Sequence, residues 1–102
     1  MQIIMNLTPH VVNVGLRKFE PSGIVARLAE TNEEVGKIDG ISIIKQVRGE
    51  IMGLEPPLEN VYYIVSRVIF DASDRKDLLA VGETIRDKEG KIIGCKNLVI
   101  KS

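Results

Sequence analysis

Val61-Tyr62-Tyr63-Ile64-Val65-Ser66-Arg67-Val68-Ile69-Phe70-Asp71-Ala72 contains two structural periods in twelve residues. The first five residues are aromatic or β-branched without interruption, the composition of a strand. Beyond Val65 the apolar residues recur at three-to-four spacing through Val68 and Ile69 to Ala72, the spacing of a helix. Ser66 stands at the change, and its hydroxyl suits an N-cap. The segment therefore reads as a strand over 61–65 and a short helix over 67–73. This sets the predicted class: α+β and β-dominated, with a strongly bent antiparallel or mixed sheet, or a barrel-like variant of it, and one short helix.

Upstream, an apolar run over 3–7 ends at Thr8-Pro9-His10, where proline removes a backbone donor. Val11, Val12, Val14 and Leu16 form a second β-branched run, and the two runs together predict an N-terminal hairpin. Glu20-Pro21-Ser22-Gly23 is a turn, and the alternation over 24–28 predicts a third strand. Gly36 and Gly40 follow the weak capping box at Thr31 too closely for a helix, so 31–40 reads as a loop in which 35–38 is the one stretch able to extend. A longer strand over 41–48 is expected to be buried on both faces at its start, with Gly49 allowing a bulge or a close approach. Gly53, Pro56 and Pro57 mark an irregular connection of loop length rather than an interdomain linker. Downstream, 78–81 is extended up to Gly82, and 84–86 pairs with 91–94 around Asp87-Lys88-Glu89-Gly90, with 98–100 completing the hairpin.

The chain has 102 residues, 44% hydrophobic and 27% charged. That composition fits one domain over 1–102 with a core that needs neither disulfide nor structural metal. Cys95 is the only cysteine and His10 the only histidine, so no zinc-ligand cluster can form and a reducing compartment is expected. Cys95 itself reads as a buried small hydrophobe. Fourteen basic and fourteen acidic residues cancel, leaving no global field for a nucleic-acid polymer or an anionic lipid surface. The absence of a run of about 20 apolar residues and of a basic flank at the N-terminus predicts a soluble, cytoplasmic protein. The glycosylation pattern Asn6-Leu7-Thr8 is then a chance match.

A general base near neutral pH is usually histidine, which makes His10 the first catalytic suspect. It would need Ser22, Ser66 or Cys95 beside it together with an orienting acid, and no nucleophile elbow occurs; a turn histidine is the plainer reading. Neither G-x-x-x-x-G-K-[ST] nor G-x-G-x-x-G is present, so no cofactor is expected. Glu33-Glu34 and Glu50 with Glu55 do not suit paired-carboxylate chemistry. What remains is anion recognition. Pro21-Ser22-Gly23 is able to form a small nest beside Arg27. Arg48, Arg75 and Arg86 lie near element ends, either converging through their planar forks or spent on neighbouring acids. The candidate ligand-binding set is His10, Ser22, Arg27, Arg48, Arg75 and Arg86, with no metal ligand.

The pieces Asn6-Leu7-Thr8-Pro9-His10, Pro21-Ser22-Gly23, Ala26-Arg27, Gly49-Glu50, Tyr63-Ile64-Val65-Ser66, Arg75 with Asp77-Leu78, Gly82, and Arg86-Asp87…Gly90…Ile93-Gly94-Cys95 are together similar to a family of short proteins encoded in bacterial and phage genomes. The resemblance spans nearly the whole chain. It departs at Ala80-Val81-Gly82, where the family often carries Pro-Gly, which concerns the rigidity of that turn. The resemblance implies a phage or prophage context and a small accessory role, but no reaction. By analogy with small phage accessory proteins, the expected function is non-catalytic capture of a small anionic, nucleotide-like ligand, sequestering a host immune signal. A protein-binding inhibitor of host defence is the second reading and a small enzyme using His10 the third. A homo-oligomer is expected, because so small a domain gains concavity most readily between copies.

Overall fold

The computed structural model describes residues 1–101, the Arg48 side chain excepted. The deciding segment folds as its two periods predict. Val61–Ile64 is strand β6 and Arg67–Ala72 is helix α1, one residue shorter than expected. Ser66 is extended, and its Oγ accepts a long bond of 3.5 Å from the Ile69 amide at the helix start. Ile69 and Phe70 are the buried side of the helix.

Strand β6 is central in a four-stranded sheet that also holds β1 (Ile3–Asn6), β7 (Leu78–Val81) and β10 (Leu98–Ile100), in the order β1-β6-β7-β10. β1, β6 and β7 run parallel and β10 is antiparallel to β7, so the sheet is mixed. Its centre is covered on both sides, which accounts for the unbroken apolar runs of β6 and β7. Tyr63, Val65, Leu78 and Ala80 face one cluster with Leu7, Ala26, Ile69 and Phe70. Ile64 and Leu79 face the other with Val12 and Cys95.

That second cluster joins a further four-stranded sheet, β3-β2-β9-β8, formed by β2 (Val12–Val14), β3 (Arg17–Phe19), β8 (Thr84–Arg86) and β9 (Ile92–Cys95). The β8–β9 hairpin forms as predicted, with Asp87 Oδ1 accepting from the amides of Glu89 and Lys91 at 2.9 and 3.0 Å. The expected N-terminal hairpin does not form. β1 pairs instead with β6, while β2 turns back through Gly15 onto β3. Pairing on β6 leaves Leu7 only 1% exposed, and burying one such side chain contributes about 1.5–3 kcal/mol against roughly 0.2–1 kcal/mol for a cross-strand pair. β10 likewise leaves the C-terminal hairpin for the first sheet. The sheets are bent but close no barrel.

The largest correction concerns 31–40. Instead of a loop, β4 (Arg27–Ile38) runs for 12 residues and pairs antiparallel with β5 (Ile41–Met52), also 12 residues. Asp39 and Gly40 both have positive φ, 51° and 77°, the Asp-Gly turn that joins strands through two residues. The register slips at Val35, where Gly36 takes φ 144°, and again opposite Ala29, where Gly49 permits the predicted bulge. β5 is not buried at its start, since Ile41 is 65% and Ile44 51% exposed. Leu28 and Ile51 seat the base of this hairpin on the first core, and the rest projects as an arm. The radius of gyration is accordingly 17.0 Å, against about 13 Å for a compact chain of this length. Among the described residues no helix is long and apolar enough to cross a membrane.

Candidate functional site

Three segments distant in the sequence meet around one cavity of about 570 Å³: Thr8-Pro9-His10, Val65-Ser66 and Ile93-Gly94-Cys95. Each reaches it for a local reason. Asn6 ends β1 and is only 2% exposed, so its amide must bond within the protein. Its Nδ2 donates to the carbonyls of His10 at 2.7 Å and Phe19 at 2.9 Å, while its Oδ1 accepts from the Thr8 amide at 2.9 Å and lies 2.6 Å from the Thr8 hydroxyl. This Asx turn fixes the Thr8-Pro9-His10 backbone and holds His10 at the exposed rim. Ser66 and Arg67 reach the same cavity because α1 begins where β6 ends. Gly94 brings β9 close to β2. A Cβ there would stand 3.0 Å from the Asn13 carbonyl oxygen.

The walls are apolar: Val12, Val65, Val81, Ile92 and Ile93. The polar side chains among the described lining residues are those of Thr8, His10, Asn13, Ser66 and Arg67. Arg67 is the only charged side chain among the lining residues. Its guanidinium stacks on the Phe70 ring at 5.3 Å and lies 3.5 Å from Asp71, with both charged side chains more than half exposed. Such an exposed pair contributes little and releases its cation readily to a better anion. Cys95 also lines the cavity, but is 1% exposed, with Sγ directed at the Asn13 carbonyl at 3.4 Å. It is the buried small hydrophobe that the sequence predicts.

Of the residues expected to bind a ligand, the cavity includes His10 alone among those whose side chains are described, Arg48 lying outside them. Ser22 lies in the exposed turn, its Oγ 3.3 Å from the Ile24 carbonyl oxygen. Arg27 and Arg48 stand on the arm strands, at the start of β4 and within β5. Arg86 donates to the Gly90 carbonyl across the β8–β9 turn at 2.7 Å. Arg75 is engaged by a two-point fork to Asp77 at 2.9 and 2.6 Å, and its third donor reaches the Glu55 carbonyl at 2.8 Å. That hydrogen bonding to Asp77 outweighs the partial burial of the guanidinium and raises its pKa above the ordinary value. Arg75 thus ties the 53–60 connection to the sheet, Arg75 and Arg86 are each engaged away from the cavity, and the Arg48 side chain lies outside the described residues.

Arg67, Ser66 as a rim residue, Asn13 and Asn6 escaped the sequence reading as site residues. Asn6 had a local signal, since an Asn two residues before Thr at a strand end, with Pro next, favours an Asx turn. Arg67 had none, because helix start and cavity meet only in three dimensions. Among the described residues no group of three or more His, Cys, Asp or Glu side chains is placed to hold a metal ion. Comparison of the chain with protein-family models, with curated proteins and with solved structures finds no match.

Proposed function

We propose that this chain is a non-catalytic accessory protein that captures a small anionic, nucleotide-like ligand in the cavity between Thr8-Pro9-His10, Ser66-Arg67 and Ile93-Gly94-Cys95. One observation carries the reading: the same cavity that has apolar walls is also lined by an imidazole, a hydroxyl and a guanidinium. A planar apolar body suits the walls, and an anionic group suits Arg67, whose donors are planar and permanently charged. His10 stacks or orients at the edge. The family resemblance supports a phage-encoded role in the host cytoplasm, with the captured ligand a signal of host immunity. Sequestration needs affinity rather than turnover. It is compatible with a His10 imidazole that no side-chain hydrogen bond orients among the described residues.

Calorimetry with a panel of mononucleotides and cyclic dinucleotides tests this, using Arg67→Ala, His10→Ala and, as a control, Arg86→Ala. One nucleotide should bind the parent and the Arg86 variant alike, and at least about tenfold more weakly to the Arg67 variant, the scale of a lost charge-assisted contact. No binding to the parent, or equal binding to the Arg67 variant, overturns the proposal. A protein-directed inhibitor is then the surviving reading, and the exposed apolar residues of the arm are the observation in its favour.

A further inference from the structure

Register pairing sorts the arm into two unlike faces, because paired residues of an antiparallel ribbon share a side. Thr31 pairs with Val47, Glu33 with Lys45, Gly36 with Ile43 and Ile38 with Ile41. On the other side Asn32 pairs with Gln46, Glu34 with Ile44 and Lys37 with Ser42. Among the paired residues the first face is therefore an apolar strip of Ile38, Ile41, Ile43 and Val47 with a single charge pair, and the second is polar apart from Ile44, while Val35 stands unpaired at the register slip. Ile38 is 67% exposed and Ile41 65%, so the outer end of the strip is uncovered among the described residues, while Ile43 is half-buried. A two-stranded ribbon of this length gains little stability by itself, and it needs cover on its apolar side.

We propose that the cover is the same arm of a second copy, stacked strip to strip about a two-fold axis that runs along the arm. Charge complementarity selects both the occupant and the axis. Glu33 and Lys45 lie opposite each other at one height on the strip. A two-fold axis along the arm sets β4 of one copy over β5 of the other at equal height, so each Glu33 faces Lys45 of the second copy. An in-plane axis across the arm at that height would set Glu33 over Glu33 and Lys45 over Lys45. Stacked sheets keep their strands within about 30° of alignment and stand about 10 Å apart, a gap that these long side chains span. Of these two axes, only the first makes the strip its own complement at the height of Glu33 and Lys45.

Sedimentation velocity over a dilution series, with dichroism to confirm folding, supplies the test. The parent should sediment as a dimer that dissociates on dilution with a Kd on the order of 10 µM, as suits a contact at the small end of specific interfaces. The Ile38→Lys/Ile41→Lys variant should be monomeric. Glu33→Lys and Lys45→Glu should each weaken the dimer at least about tenfold, because both contacts then oppose like charges. Mixing these two variants, or combining both changes in one chain, should restore it. A monomeric parent throughout, a dimer that survives the isoleucine changes, or single reversals without effect each overturn the proposal. None of these readouts depends on the ligand cavity.

Discussion

Asn6 Nδ2 donates to the His10 carbonyl at 2.7 Å, so the residue that ends β1 also places the chain's only imidazole. The same amide group holds the Phe19 carbonyl at the end of β3, which ties the two sheets at the mouth of the cavity. Asn6 acts on the site only through this backbone. It is a positioning residue.

Replacing Asn6 by alanine strands the Phe19 carbonyl and the Thr8 amide, leaves the His10 carbonyl to the Thr8 hydroxyl alone, and should lower stability by about 2–4 kcal/mol. Asn6→Asp keeps an acceptor for Thr8 but turns an oxygen toward the two carbonyls, so a comparable loss is expected. Urea midpoints at constant m-value measure both. Stability unchanged in either variant contradicts the staple.

Arg75→Lys should lose about 1–2 kcal/mol, because lysine cannot reproduce the two-point contact with Asp77 together with the bond to Glu55, whereas Arg86→Ala on the exposed turn should lose under about 0.5 kcal/mol. The raised pKa of Arg75 gives the pH dependence a definite sign. Its contribution is complete below the guanidinium's unfolded pKa and disappears only as pH rises through the still higher folded value. The stability gap between parent and Arg75→Lys arising from this protonation should therefore stay flat across neutral pH. Thermal melts of both chains over that range read it.

Two glycines separate crowding from backbone strain. Gly94→Ala pushes a methyl to 3.0 Å from the Asn13 carbonyl oxygen across the β2–β9 contact and should lose about 1–3 kcal/mol. Gly40→Ala meets nothing within 4 Å and retains only the penalty of its positive φ, about 1 kcal/mol. Equal losses in denaturant titrations would remove steric contact as the reason for Gly94.

The Cys95 thiol, 1% exposed beneath the cavity, should react with a bulky disulfide reagent only when β9 opens. Labelling slower than in urea by a factor on the order of 10³ corresponds to about 4 kcal/mol of local stability. Gly94→Ala should speed it. Rapid stoichiometric labelling of the native chain contradicts the burial.

Local chemistry determined the 61–72 segment, since an unbroken aromatic and β-branched run and a three-to-four spacing each specify backbone conformation without reference to distant residues. The β8–β9 hairpin and the bulge at Gly49 were legible for the same reason, and Asp39-Gly40 carried a turn signal that the neighbouring glycines obscured. Pairing was not legible. Ile3–Asn6 and Val12–Val14 have the composition of adjacent strands, yet β1 joins β6, because burial of Leu7 is worth more than any local pair. Nor does period two distinguish a strand inside a core from one on an arm: Ile41–Met52 and Leu78–Val81 share β-branched and aliphatic character, and only the second lies under another layer. The arginines behave likewise. Which of them is spent on a carboxylate and which faces a cavity depends on groups brought together by folding, so Asp77 and the Glu55 carbonyl removed Arg75 from the candidates while the end of β6 delivered Arg67. The sequence by itself determined conformation wherever neighbours within a few residues decide it. The tertiary structure alone decided partners, exposure and the cavity, because those energies come from contacts between residues far apart in the chain.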